Sequence, residues 1–214
     1  MDTENTKNDP KRIMTIKAVL FDWGGVLIDD PTPGITAVVK THLGLRQEVD
    51  FQFPNDPMKA FQKGEITELE FWEQVLRDFP SEVSPVAPGL WREAFESSYR
   101  EKPSVFAWIE RLRAASIRTG VLSNTEAPSV EMLLAKGYTC FDDMLFSCEC
   151  GLVKPELKIF QYALGKLGLK PEEVFFIDDK QPNVDAARET GIHAHRFVNE
   201  AALFAGAAEL GLPA

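Results

Sequence analysis

Four stretches of the sequence place reactive polar groups beside apolar runs. Ile16-Lys17-Ala18-Val19-Leu20-Phe21 runs into Asp22, followed by Trp23 and the pair Gly24-Gly25. Val121-Leu122 runs into Ser123-Asn124-Thr125, and Phe176-Ile177 runs into Asp178-Asp179. Between them, Gly151-Leu152-Val153 leads to Lys154-Pro155. A carboxylate that could act as nucleophile, a hydroxyl, a lysine and an acidic pair form a coherent chemical set. Clustered carboxylates hold a hard cation such as Mg²⁺. Lysine and a hydroxyl, helped by backbone N–H groups near helix starts, hold phosphate oxygens. The set describes phosphoryl transfer through an aspartyl intermediate, stabilised by metal and lysine.

These groups can meet only if the apolar runs are parallel strands ending on one edge of a sheet. From residue 104 onward the pattern supports that arrangement. Helical stretches at 104–115, 127–137, 155–167, 182–191 and 200–210 alternate with strands at 119–123, 144–147, 174–178 and 193–198. Such alternation predicts an α/β fold, a Rossmann-like parallel sheet covered on both faces. In sheets of that kind the ligand sits outside the carboxyl ends of the strands. Residues 30–103 read differently, with helical stretches at 34–43, 56–63, 67–78 and 89–99. Pro54, Pro57, Pro80, Pro85, Pro88 and Pro103 punctuate them. Thr67, with Glu70 three positions on, predicts a capping box ahead of Phe71 and Trp72. The expected organisation is a disordered tail over 1–12, a core over 13–29 and 104–214, and an inserted α-helical cap over 30–103.

The four motifs resemble those of the haloacid dehalogenase superfamily of hydrolases, over about 17–198. Phe21-Asp22-Trp23-Gly24-Gly25-Val26-Leu27 stands where that family has a strand ending Asp-x-Asp-Gly-x-Leu. Val121-Leu122-Ser123-Asn124-Thr125 matches its second motif and Lys154-Pro155-Glu156 its third. Phe176-Ile177-Asp178-Asp179-Lys180-Gln181-Pro182-Asn183 matches the fourth. Lys63-Gly64-Glu65-Ile66 with Phe71-Trp72, and Leu122-Ser123-Asn124-Thr125, look most like one branch of the family. That branch contains sugar-phosphate phosphatases and the phosphatase domain of epoxide hydrolases.

The resemblance implies that Asp22 is the nucleophile and a Mg²⁺ ligand. Ser123 and Lys154 would bind the transferring phosphoryl group, with Asn124 also on the substrate. Asp179 would be the main Mg²⁺ ligand of the fourth motif, supported by Asp178, with Asn183 reaching a metal-bound water. The helical insert would be the family's first type of cap. One position departs from the pattern. Two residues after the nucleophile, where phosphatases of the family carry a second aspartate, stands Gly24. Its carbonyl still serves the metal, but it cannot protonate a leaving group, a role worth roughly 10²–10⁴-fold.

The implied function is a Mg²⁺-dependent phosphatase of a small phosphorylated metabolite. Two other readings stand beside it: a 2-haloacid dehalogenase-type hydrolase in which Asp22 attacks carbon, and a metabolite-binding protein that lost turnover at Gly24. With 33 acidic and 23 basic residues in 214, a net charge of −10, the chain has no global basic field for nucleic acid or anionic membrane. Neither partner is expected. Few cysteines, a polar start and no apolar run of membrane-spanning length predict a cytoplasmic protein. Cys140, Cys148 and Cys150 lack a Cys-x-x-Cys pair and read as small buried side chains. His193 and His195 share a strand face with no third ligand nearby. Trp72, Trp91, Trp108, Phe71, Phe95 and Phe106 are expected to pack in cap and core.

Overall fold

The computed structural model describes residues 15–46, 48–77, 86 and 88–213. The expected tail lies outside them, as do Asp78, Pro80 and Pro85. Among the described residues five strands form one parallel sheet: β1 (Ala18–Phe21), β2 (Arg118–Ser123), β3 (Asp143–Phe146), β4 (Val174–Asp178) and β5 (His193–Arg196). Their order across the sheet is β3-β2-β1-β4-β5. β1 is therefore central, and its two neighbours in the sheet are reached by separate excursions of the chain. Parallel sheets bind ligands at such a switch point, outside the carboxyl ends of the strands.

Every residue of β1 and β4 is buried, the mark of strands covered on both faces. Alternate side chains serve opposite faces. Val19, Phe21, Val121, Phe175 and Ile177 join one apolar cluster. Ala18, Leu20, Leu122, Val174 and Phe176 join the other. The first face is covered by α5 (Pro103–Ala114) and α10 (Glu200–Glu209), through Trp108, Leu112, Leu203 and Ala207. The second is covered by α8 (Leu157–Leu167) and α9 (Gln181–Glu189), through Ile159, Phe160, Ala163 and Ala187.

Between β1 and α5 lie α1 (Thr32–His42), α2 (Asn55–Gln62), α3 (Glu68–Leu76) and α4 (Leu90–Ser97). No strand forms among the described residues of this stretch, although Glu101 makes an isolated bridge to Ile28. Thr67 caps α3 as its spacing predicts. Its backbone N–H donates to Glu70 Oε2 at 2.7 Å, and the Glu70 N–H donates to Thr67 Oγ1 at 3.3 Å. The aromatic residues of this segment pack on one another, with Phe61 stacked on Phe71 and Trp91 edge-on to both.

Among the described residues two further α-helices are α6 (Ala127–Ala135) after β2 and the single turn α7 (Ser147–Cys150) after β3, with a 3-10 turn at Pro171–Glu173 before β4. The sequence pattern does not reveal α7. The helix expected from residue 155 starts at Leu157, with Glu156 as its N-cap, so Lys154 and Pro155 belong to the preceding turn.

Candidate active site

Asp22 follows the last residue of β1, and its N–H continues the ladder to the Ile177 carbonyl at 2.8 Å. Its Oδ1 accepts from the Trp23 N–H and from Lys154 Nζ, each at 2.8 Å. Oδ2 takes no hydrogen bond among the described residues. The carboxylate is thus held by one oxygen while the other stays available. Burial pushes this carboxyl up; Lys154 pulls it down and Asp178 adds to the rise. After Asp22 the chain turns back, with the N–H groups of Leu27 and Ile28 both donating to the Trp23 carbonyl. Gly25 sits in that turn at φ +83°, and a Cβ there would stand 2.7 Å from the Asp179 carboxyl carbon. Glycine is required at 25 twice over, by conformation and by close approach. At Gly24 φ is not left-handed, and an added Cβ would meet only Pro31, at 3.2 Å.

Lys154 is 4% exposed and its ammonium is fully engaged. Its three hydrogens go to Asp22 Oδ1 at 2.8 Å, Asp178 Oδ2 at 2.7 Å and the Leu122 carbonyl at 2.8 Å. Burial alone would lower its pKa, but Asp22 and Asp178 outweigh that and hold it above the usual lysine value. Asn124 fixes the lysine backbone from both sides: its Oδ1 accepts from the Lys154 N–H at 2.8 Å, and its Nδ2 donates to the Lys154 carbonyl at 2.9 Å. Asn124 lines the cavity, yet its amide is spent on positioning Lys154. Ser123 Oγ accepts from Thr125 Oγ1 at 2.7 Å, which leaves the serine proton free to donate.

The two acids of the fourth motif have different surroundings. Asp178 is 0% exposed. Its Oδ1 accepts from the Lys180 N–H and Asn183 Nδ2, and its Oδ2 from Lys154 and the same Asn183 nitrogen. Four donor contacts occupy its lone pairs, so its work is to hold Lys154 and Asn183. Asp179 has the opposite condition. Its Oδ1 is buried without a hydrogen-bond partner, and burial raises its pKa first, with Asp178 adding to the rise against Lys180.

One oxygen each of Asp22, Asp178 and Asp179 lies within 4.8 Å of the others, the one three-acid cluster of metal-binding type among the described residues. The orphaned Asp179 oxygen and the nearby carboxylate of Asp22 make an oxygen set suited to a hard divalent cation. His193 and His195 are not part of any such cluster, and the Nε2 of each is buried without a partner. The three cysteines are free and half-buried rather than fully buried. Burial pushes the Cys148 thiol up to about 12, away from a metal-binding thiolate.

A cavity of about 490 Å³ opens over these strand ends. Asp22, Gly24, Ser123, Asn124, Lys154, Asp179 and Asn183 line it from the sheet. Ile35, Phe51, Phe53, Met58, Gln62, Trp91 and Phe95 line it from the segment between β1 and α5. Sequence reasoning missed several lining residues: Gln62, Trp91, Thr125, Glu126 and Lys180. Thr125 and Lys180 adjoin motif residues, so motif proximity was a usable signal for them. Nothing local marks Gln62 or Trp91, which reach the site from helices far away in sequence. Ser147 joins the two sides, its Oγ accepting from the Thr125 N–H at 2.8 Å and donating to the Gln62 carbonyl at 2.6 Å.

A family model described as haloacid dehalogenase-like hydrolase matches residues 16–191. The chain is 35% identical over 188 residues to acyl-CoA dehydrogenase family member 10 of Mus musculus, covering 83% of this chain and 17% of that protein. It is 24% identical over 180 residues to sesquiterpene phosphatase astK of Aspergillus oryzae, covering 83% of this chain and 88% of that protein. A HAD family enzyme of Bacteroides thetaiotaomicron, solved in complex with magnesium and inorganic phosphate, superposes with a TM-score of 0.68 at 28% identity. That match covers 85% of this chain and 93% of the other. The chain spans only 17–36% of the length of several curated relatives that it matches.

Proposed function

The chain belongs to the haloacid dehalogenase-like hydrolase family, and from that footing we propose a Mg²⁺-dependent phosphatase acting on a small phosphorylated metabolite. The observation that carries this reading is the contrast at one strand end. Asp179 presents a buried, unpartnered carboxylate oxygen, its carboxylate lies within 4.8 Å of that of Asp22, and Lys154 braces Asp22 Oδ1. Nucleophile, cation site and lysine thus share one cavity.

In this reading one oxygen of the Asp22 carboxylate attacks phosphorus while the other would serve the cation; the bond between phosphorus and the ester oxygen breaks, and the leaving oxygen takes its proton from water. Ser123 donates to a phosphoryl oxygen, and the Lys154 charge sits beside the atom that Asp22 attacks. Asp22, Asp179 and the Gly24 carbonyl would hold Mg²⁺, whose charge offsets that of the phosphoryl group. Asp178 and Asn183 keep their neighbours in place. Water then attacks the phosphorus of the aspartyl phosphate, releases inorganic phosphate and restores Asp22. The stretch over 30–103 serves as a cap that closes the cavity and keeps bulk water from the intermediate.

Phosphate release from a panel of phosphomonoesters, with Mg²⁺ and with excess chelator, tests the proposal. Release should need the metal and disappear in Asp22→Asn, and Asp179→Asn should weaken metal binding. Full release in chelator would overturn the metal dependence, and halide release from a 2-haloacid in chelator, with no phosphate released from any ester, would favour a dehalogenase instead. One observation favours a further reading: Gly24 has no titratable group, which suits a protein that binds a phosphorylated metabolite and turns it over slowly or not at all. Saturable binding without release from any ester would decide for it.

A further inference from the structure

One buried acid in the cavity takes part in none of these steps. Glu126 lies between β2 and α6, lines the cavity and is 6% exposed. Two helices from the other side of the cavity hold its carboxylate. Gln62 Nε2, at the end of α2, donates to Oε1 at 2.9 Å. Trp91 Nε1, in α4, shares its hydrogen between Ser129 Oγ at 3.0 Å and Oε2 at 3.2 Å, and Ser129 Oγ reaches the same oxygen at 3.4 Å. All three donors are neutral. No lysine or arginine pairs with Glu126 among the described residues, although a buried carboxylate normally has such a partner. The cations that line the cavity, Lys154 and Lys180, belong to the end that holds Asp22 and Asp178. Beyond the carboxylate's contact with its own backbone N–H, Oε1 accepts one side-chain bond among the described residues, from Gln62. Burial raises the carboxyl, and bonds from Gln62, its own backbone N–H, Trp91 and Ser129 pull it back. Phe51, Phe53, Met58 and Phe95 around the same cavity bring no charge of their own.

We propose that Glu126 is a specificity-determining residue, accepting a hydrogen bond from a hydroxyl or ammonium on the leaving group and rejecting leaving groups that carry a second anion. This rests on the phosphatase reading and narrows its substrate class. A second phosphate or a carboxylate at this position would face Glu126 with no lysine or arginine of this chain beside it among the described residues. A hydroxyl or ammonium there would instead donate to the carboxylate.

The test compares wild type, E126Q and E126D on 2-aminoethyl phosphate, 2-hydroxyethyl phosphate, propyl phosphate and phosphoglycolate. All are assayed with Mg²⁺, and thermal unfolding of each variant is recorded. Wild type should favour the aminoethyl and hydroxyethyl esters over phosphoglycolate in kcat/KM. Glutamine removes the charge and keeps the shape, so E126Q should shrink the aminoethyl-to-phosphoglycolate ratio about ten- to a hundredfold, the scale of one hydrogen bond to a charged group. E126D keeps the charge and should retain most of the ratio. A wild-type preference for phosphoglycolate overturns the inference without any variant. So does an equal loss on every ester, which is the signature of a purely structural role. Loss of the ratio in E126D as complete as in E126Q also overturns it. Absence of Asp22-dependent release from any ester removes the phosphatase reading and this inference together, whereas normal release with an unchanged ratio removes the inference alone.

Discussion

At Asp22 burial works against ionisation. It pushes the carboxyl from an ordinary 3.8 up to about 6, against the pull of Lys154 and with a further push from Asp178. A carboxyl raised above its unfolded value binds its proton more tightly in the native chain. Its contribution to stability is full below about pH 4 and is lost as pH climbs through about 6. In metal-free protein the melting temperature of Asp22→Asn should therefore gain on wild type between pH 4 and pH 8; parallel curves would sink this account. Gly24 and Gly25 make opposite demands although they are adjacent. Gly25→Ala puts a methyl 2.7 Å from the Asp179 carboxyl carbon at φ +83°. That should weaken Mg²⁺ binding in a calorimetric titration and cost about 1–2 kcal/mol of backbone strain. Gly24 is free of the backbone constraint and meets only Pro31, at 3.2 Å, so an aspartate there would line the cavity after Pro31 shifts by a few tenths of an ångström. Gly24→Asp should raise turnover of alkyl phosphates by part of the roughly 10²–10⁴-fold range of acid–base catalysis. Aryl phosphates, whose leaving anions need no proton, should gain little. Unchanged alkyl rates in a folded, Mg²⁺-binding variant would mean that another group already supplies the proton.

α2 reaches the sheet side through two kinds of contact with different energies. Lys59 and Lys63 pair with Glu156 at 2.9 and 3.0 Å, and the Lys59 side chain is 54% exposed. The exposed Lys59 pair contributes little, whereas the Lys63 side chain is only 17% exposed, so Glu156→Gln should lower the melting temperature mainly through loss of the Lys63 pair. Gly64 just after α2 is different. It sits at φ +68°, and a Cβ there would lie 2.5 Å from the Cys148 carbonyl oxygen of α7. Gly64→Ala should lift α2 away from α7, strain Ser147's bond to the Gln62 carbonyl and disturb the Gln62–Glu126 contact. The expected result is a lower melting temperature and a raised KM for phosphomonoesters. An unaltered KM would show that the position of α2 does not control the cavity.

Across the whole molecule, a single apolar cluster joins the two sides of the cavity. Phe61, Trp72, Trp91 and Phe95 from the segment between β1 and α5 belong to it together with Phe21, Val121, Ile177 and Trp108. A core shared in this way ties the stability of the inserted helices to that of the sheet. Unfolding followed by tryptophan fluorescence and by far-ultraviolet circular dichroism should coincide in one transition. Two separated transitions would mean that the helical segment folds on its own. Among the described residues no helix is long and apolar enough to cross a membrane.

Local pattern in the sequence was enough to locate the strands and the polar groups that end them. Residues 174–178 read as a strand from their unbroken apolar run, and β4 occupies that span. Thr67 and Glu70 revealed their helix start because a capping box is complete within four residues. Asp22, Ser123 and Asp179 were readable as one chemical set because parallel strands must deliver their carboxyl ends to the same edge, and Lys154 because it precedes the helix that returns from that edge. Tertiary structure alone decided which of two adjacent acids holds Lys154 and which is left open, because neighbouring residues at a strand end point to opposite sides. It decided that glycine is obligatory at 25 and not at 24, because that depends on where Asp179 arrives from another strand. It brought Gln62 to Glu126 across a separation of 64 residues. Such a contact is set by how helices pack over the sheet, and no period of hydrophobicity or local spacing encodes it.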